Sequence, residues 1–158
     1  ILIAAAQYWV SSVSKSVHFV ATVFFGALFT AYQIYCHGRY GQTLGKRAMQ
    51  IRVIRLNGGR IGWREAWLRS SCDVMYVVCG IVAQTVAFAA ISDGHYYVSD
   101  LSQRSTNLQA VQPGWFTWIE TLAFCWDWSE IIVILFNSKR RALHDFIAGT
   151  VVVSESAT

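Results

Sequence analysis

Glu120, Asp127 and Glu130 stand within Trp115–Phe136, a segment of 22 residues otherwise rich in apolar and aromatic side chains. An ionisable side chain inside a membrane span costs at least about 2.5 kcal/mol on insertion scales, so it marks a functional hypothesis. At 100° per residue, Asp127 lies about 20° around a helix from Glu120, and Glu130 about 60° from Asp127. All three share one face, with Leu122 across the helix from it. Two chemistries suit that stripe. Desolvation and mutual repulsion let a proton compete with a small cation for one acidic site, the minimum chemistry of antiport. Alternatively, the acids pair with a cation from another helix or accept hydrogen bonds across helices. By depth, His18 and Gln84 are the candidate helix partners, with Gly26 leaving room and Thr30 and Gln33 nearer Glu130.

The elements that must carry this stripe are membrane helices. The chain has 158 residues, 54% hydrophobic and 14% charged, with one proline, and a mean hydropathy of +0.37. Soluble domains usually carry about 25% charged residues. The charge is depleted in blocks: Val17–Tyr35 and Val74–Ser92 hold 19 residues each, and Trp115–Phe136 holds 22. The last would be roughly 33 Å long as a helix, against a hydrocarbon core of about 30 Å. The opening ILIAAAQYWV is not expected to be a signal peptide, since the segment shows neither a basic start nor a small-residue cleavage site. Residues 1–10 read instead as the tail of a first helix, truncated in this chain.

Charge orients the spans. Eight of the 13 Lys and Arg fall between His37 and Ser70, and Lys139, Arg140 and Arg141 follow the last span. Only Lys15 and Arg104 remain for the other side. The positive-inside rule predicts a cytoplasmic 37–70 loop and C-terminus, with 93–114 as an outer loop. The net charge of +4 is explained by this topology and by attraction to anionic headgroups. Nucleic acid is not an expected partner, since no basic face with stacking aromatics on a soluble fold is apparent.

The loop GQTLGK imitates a phosphate loop, but three residues rather than four separate Gly41 from Gly45, and Arg47 follows Lys46. It reads as a turn leaving the membrane. QIRVIRLNGGRIG predicts a β-hairpin with Asn57-Gly58 as its two-residue turn, and Ile51, Val53 and Ile54 in its first strand. WREAWLRSSC predicts an interfacial helix, with Trp63 and Trp67 on one face and Arg64 and Arg69 snorkelling to headgroups. Trp115 and Trp118 suit an aromatic belt, while Trp126 and Trp128 lie at mid-depth on different faces. Cys36, Cys72, Cys79 and Cys125 show neither CxxC nor zinc spacing and read as reduced packing residues. Asp93, His95 and Asp100 are better explained by a flexible polar loop than by a metal site. His144-Asp145 lacks a nucleophile or ligand set beside it, so no catalytic pair, metal or cofactor is predicted. Asp145 is expected to cap backbone or to pair with a loop arginine.

GQTLGKRAMQIRVIRLNGGRIGWREAWLRS, together with NSKRRALHDFIAGTVVV, resembles the RDD family of small bacterial membrane proteins over roughly residues 17–153. The motif positions in this sequence are Gly41, Gly45, Lys46, His144 and Asp145, with Asp145 matching the second Asp of the family's name. The resemblance places the Arg and first Asp on the truncated first helix. It implies four helices with both ends cytoplasmic, and transport of a ligand, with cation/proton antiport proposed for some members and accessory roles for others.

The fold expected is therefore an all-α bundle of about four transmembrane helices with a short cytoplasmic β-hairpin and interfacial helix, a single RDD-like domain over 1–158. The function expected is non-enzymatic: passage of a proton or small cation through Asp127, Glu130 and Glu120. The alternative is an accessory or assembly subunit of a larger membrane complex. Either reading places the chain in the bacterial inner membrane, in contact with lipid and with further copies or partner subunits.

Overall fold

A computed structural model describes residues 14–98 and 100–154. The helix tail expected at residues 1–10 lies outside the described residues. The elements run α1 (Lys15–Tyr40), α2 (Leu44–Ala48), β1 (Ile51–Arg55), α3 (Trp63–Arg69), α4 (Ser71–Ala90), α5 (Asp93–Tyr96), α6 (Leu101–Ala110), α7 (Gly114–Phe136), α8 (Leu143–Ala148) and β2 (Thr150–Ser154). Among the described residues, two helices, α1 and α4, are long and apolar enough to cross a membrane. The third long helix, α7, has 23 residues and carries the three acids. Val20 and Phe24 of α1 and Leu122 and Leu135 of α7 are exposed, which suits side chains solvated by hydrocarbon rather than by water.

The chain divides into two compact units: residues 1–28 with 76–121, and residues 29–75 with 122–158. In the first, Ala87, Phe88, Ile91, Tyr96 and Leu108 form a core, with Phe19 and Val111 packed against it. Residues 93–96 and 101–110 are therefore helical rather than flexible loop. Asp100 caps α6 by accepting from the Ser102 N–H, and buried Arg104 stacks 4.9 Å over the Tyr96 ring. Asp93, His95 and Asp100 have separate partners: Lys15 at 3.8 Å, the Ser92 hydroxyl at 2.8 Å and Ser102 at 2.9 Å.

The second unit corrects the hairpin. A turn does form at 55–58, closed by the Gly58 N–H donating to the Arg55 carbonyl. It is not the expected turn with two positive φ angles: Gly58 alone has φ of 81°, and Arg55 N–H bonds to the Gly59 carbonyl as in a bulged loop. The return arm contributes only the isolated Ile54–Arg60 bridge. The strand that pairs with β1 is β2, antiparallel, from Ile51 opposite Ser154 to Arg55 opposite Thr150. The physical reason is composition: TVVVS is a run of β-branched residues, whereas RIGW offers no comparable run.

Helix α3 matches expectation in its tryptophans. Trp63 and Trp67 are each half exposed, while Glu65, Ala66 and Arg69 turn inward. Glu65 holds the start of α3 by accepting from the Gly62 N–H at 2.8 Å and from Arg55 at 3.0 Å. Trp63 lies against α1 at Gly38, where an added Cβ would approach its ring to 2.6 Å. Gly38→Leu is accordingly expected to destabilise the protein by about 1–3 kcal/mol through overpacking. A thermal melt in detergent checks this, and an unchanged midpoint would count against that contact.

Candidate functional site

The second unit concentrates its polar groups where α3, α8 and β2 meet. Helix α8 ends at Gly149, which adopts φ of 66°, a left-handed conformation that glycine takes without steric penalty. That reversal starts β2 at Thr150, whose hydroxyl is fully buried. Asp145 and Arg69 form a buried ion pair there, with side-chain exposures of 2% and 4%. Thr150 Oγ1 donates to Asp145 Oδ1 at 2.7 Å and accepts from Arg69 at 2.8 Å. The second carboxylate oxygen accepts from the Ala142 N–H at 3.2 Å. Arg141 completes the enclosure by donating to the carbonyls of Thr150 and Asp145, each at 2.8 Å. So Arg69 does not snorkel. Its guanidinium is buried because a buried carboxylate and a hydroxyl satisfy it.

Burial works against the charge on both partners. It is the largest influence on Asp145 and would raise its pKa, but the Arg69 charge and the Thr150 hydrogen bond outweigh it. The carboxyl is held below the ordinary aspartate range. Burial lowers Arg69, opposed by Asp145, and an arginine starts so high that it stays cationic.

His144 connects this pair to the last long helix. Its Nε2 accepts from Arg69 at 2.8 Å, so its proton resides on Nδ1, which donates to Glu130 Oε1. The tautomer is thereby set by its neighbours. Asp73, at the start of α4, interacts electrostatically with Glu130, Asp127, His144 and Arg69. Lys46 approaches from α2 with Nζ 3.3 Å from His37 Nε2. His37 donates through Nδ1 to the Gln33 carbonyl at 2.9 Å, leaving Nε2 to accept from the ammonium. Burial lowers the Lys46 pKa first, the Arg69 charge adds to that, and Asp145 opposes both.

The sequence-derived residues thus separate into groups. Asp127 and Glu130 lie in the second unit, with Asp73, His144, Arg69 and Asp145. Asp127 is exposed and Glu130 half-buried. Glu120 lies in the first unit, where it lines a cavity of about 430 Å³ with both proposed helix partners, His18 and Gln84, and with Gly26. His18 also meets the Tyr96 hydroxyl at 3.0 Å. Among the motif glycines, Gly41 turns the chain after α1 with φ of 72° and its carbonyl accepts from the Val53 N–H at 2.9 Å. Gly45 has open space around it. Among the described residues, no three His, Cys, Asp or Glu side chains are grouped to hold a metal ion.

Sequence reasoning gave Arg69 a headgroup role instead of this buried one, and missed Asp73 and Thr150. Arg69 carried a signal, because its spacing from Ala66 and Glu65 puts it on the face of α3 opposite Trp63 and Trp67. Thr150 follows the glycine that ends α8, and a threonine opening a β-branched run gives no hint of a buried hydroxyl.

A family model described as the RDD family matches residues 2–149, nearly the whole chain. No curated protein and no solved structure matches it.

Proposed function

The chain belongs to the RDD family, and from that premise we propose a multi-pass protein of the bacterial inner membrane that exchanges a proton or small cation at Asp127 and Glu130. The observation that carries this reading is the company of those acids: Asp73, Asp127 and Glu130 share one electrostatic neighbourhood with His144 and Arg69. Carboxylates that repel one another bind a proton or cation more readily than isolated ones. His144 links Glu130 to the buried Arg69–Asp145 pair. A proton gained at Glu130 weakens its acceptor oxygen, and the imidazole reports that change to Arg69. With loop 37–70 cytoplasmic, as the distribution of Lys and Arg supports, this exchange point faces the cell interior.

The test is cation-driven proton flux in liposomes. Wild-type protein with a pH-sensitive dye inside is expected to answer a sodium pulse at least tenfold faster than Asp127→Asn at equal incorporation. Equal rates would remove the transport reading.

A second reading is an accessory or assembly subunit, favoured by the exposure of α7. Its described residues include one buried side chain, Phe116, while Trp118, Phe124 and Trp128 are exposed. Aromatic side chains of this kind anchor helix contacts with partner subunits or further copies. Extraction in a gentle detergent followed by native mass spectrometry separates the readings. A fixed stoichiometry with a larger complex supports the subunit.

A further inference from the structure

A cavity of about 430 Å³ lies within the first compact unit, inside the range of about 300–1,000 Å³ for small-molecule sites. Four helices build it, each with a pair of residues one turn apart. On α1 and α4 these are Thr22 with Gly26 and Gly80 with Gln84. On α6 and α7 they are Ser105 with Gln109 and Phe116 with Glu120. This spacing sets each pair on one helix face, so the lining belongs to the helical frame of the unit. The two glycines keep it open. Among the described residues, a Cβ at Gly26 would meet nothing nearer than the Val77 side chain at 4.0 Å, and one at Gly80 nothing nearer than the Phe116 ring at 3.8 Å.

The chemistry of the walls selects the ligand. Glu120 gives the lining its formal negative charge, and no Lys or Arg stands in it among the described residues. An anion is therefore disfavoured. The unit's two basic residues are engaged elsewhere. Lys15 meets the Ile91 carbonyl at 2.6 Å and Asp93 at 3.8 Å. Arg104 stacks over the Tyr96 ring and donates to the Val98 carbonyl at 3.2 Å. Glu120 is exposed, so a ligand can reach its carboxylate. In hydrocarbon surroundings a carboxylate without a cation is unfavourable. One turn away, Phe116 stacks with Tyr76 at 6.2 Å between ring centroids, and aromatic faces attract ammonium groups. One carboxylate beside aromatic rings is poor company for a metal ion, which seeks several oxygen ligands. We propose that this cavity binds a small organic cation, its ammonium against Glu120 and the Phe116–Tyr76 rings, its body among the hydroxyls and amides of α1, α4 and α6. The site lies in the other unit from Asp127 and Glu130, and binding there is independent of ion exchange at those acids.

The experiment uses the full chain in detergent and isothermal titration with phenethylammonium, an ammonium on an apolar body. Phenethyl alcohol, its neutral counterpart of the same length, measures the contribution of charge. Wild-type protein is expected to bind the ammonium at least tenfold more tightly than the alcohol. Glu120→Gln keeps the shape and removes the charge; it is expected to weaken the ammonium at least tenfold and to leave the alcohol unchanged. Gly26→Leu places a side chain in the cavity at a helical position where propensity favours the substitution, and is expected to abolish binding of both probes. Asp93→Asn, at an exposed acid outside the cavity, is expected to bind as wild type does. Circular dichroism and gel filtration establish that each variant is folded. Because the readout is ligand binding, the result stands whether or not cation-driven proton flux depends on Asp127. The proposal is overturned if folded Glu120→Gln or Gly26→Leu binds the ammonium as tightly as wild type does. It is equally overturned if wild type binds alcohol and ammonium alike, or shows no saturable binding of the ammonium.

Discussion

Asp145→Asn is expected to cost about 3–5 kcal/mol of stability, the range for breaking a buried ion pair by removing one partner. The asparagine fits the space and keeps one oxygen for Thr150, so the loss arises from electrostatics. Arg69, with 4% of its side chain exposed, would be left as an unmatched charge among Thr150, His144 and the ends of α8 and β2. A thermal melt in detergent should show a midpoint lower by on the order of 10 °C. Arg69→Met combined with Asp145→Leu should recover part of the loss, because neither charge is then stranded. Recovery should be incomplete, since the Ala142 N–H and Thr150 hydroxyl lose their acceptor. A single variant as stable as wild type would mean that the pair contributes nothing to the fold.

The same carboxylate sets a pH dependence with a definite sign. Asp145 has a folded-state pKa below its ordinary value. Its contribution is therefore fully present above the ordinary aspartate pKa of about 3.9 and is lost as pH falls through the lower folded value. Wild-type stability should decline in that acid window, and Asp145→Asn should decline less there.

How much of this was legible depended on whether the interactions were local. The spans were readable because hydrophobic blocks and basic flanks are one-dimensional signals: Val17–Tyr35 lies within α1, and Trp115–Phe136 within α7. The face shared by Trp63 and Trp67 was readable for the same reason. The partner of β1 was not. Asn57-Gly58 marks a turn that does form, but no periodicity says that the strand beside Ile51–Arg55 will come from Thr150–Ser154, some 95 residues later on the scale of the sequence. Helix α6 was hidden because LSQRSTNLQA has little apolar pattern; its buried face is Arg104 and Leu108. Asp100 before Ser102 was the available capping signal. The Arg69–Asp145 pairing sat between these cases: Asp145 invited a loop arginine, and only packing selects which of the eight basic residues in 37–70 it meets.

Glu130→Gln should separate an exchange group from an anchor. Glutamine keeps an oxygen that accepts from His144 Nδ1, so an anchor alone would lose little, within about 1 kcal/mol of stability. An exchange group would lose its function. Under the proposed reading the variant folds, melts close to wild type and carries cation-driven proton flux at least tenfold slower. His144→Gln supplies the complement. It removes the group joining Glu130 to Arg69 while leaving the carboxylates of Asp73, Asp127 and Glu130 in place. If the imidazole passes protons, flux falls at every cation concentration, and raising sodium does not restore it. If the acids alone bind the cation, sodium still competes with protons in His144→Gln, with a shifted concentration dependence. Wild-type flux in Glu130→Gln would sink the exchange role for this carboxylate, leaving it as the tie between α7 and α8.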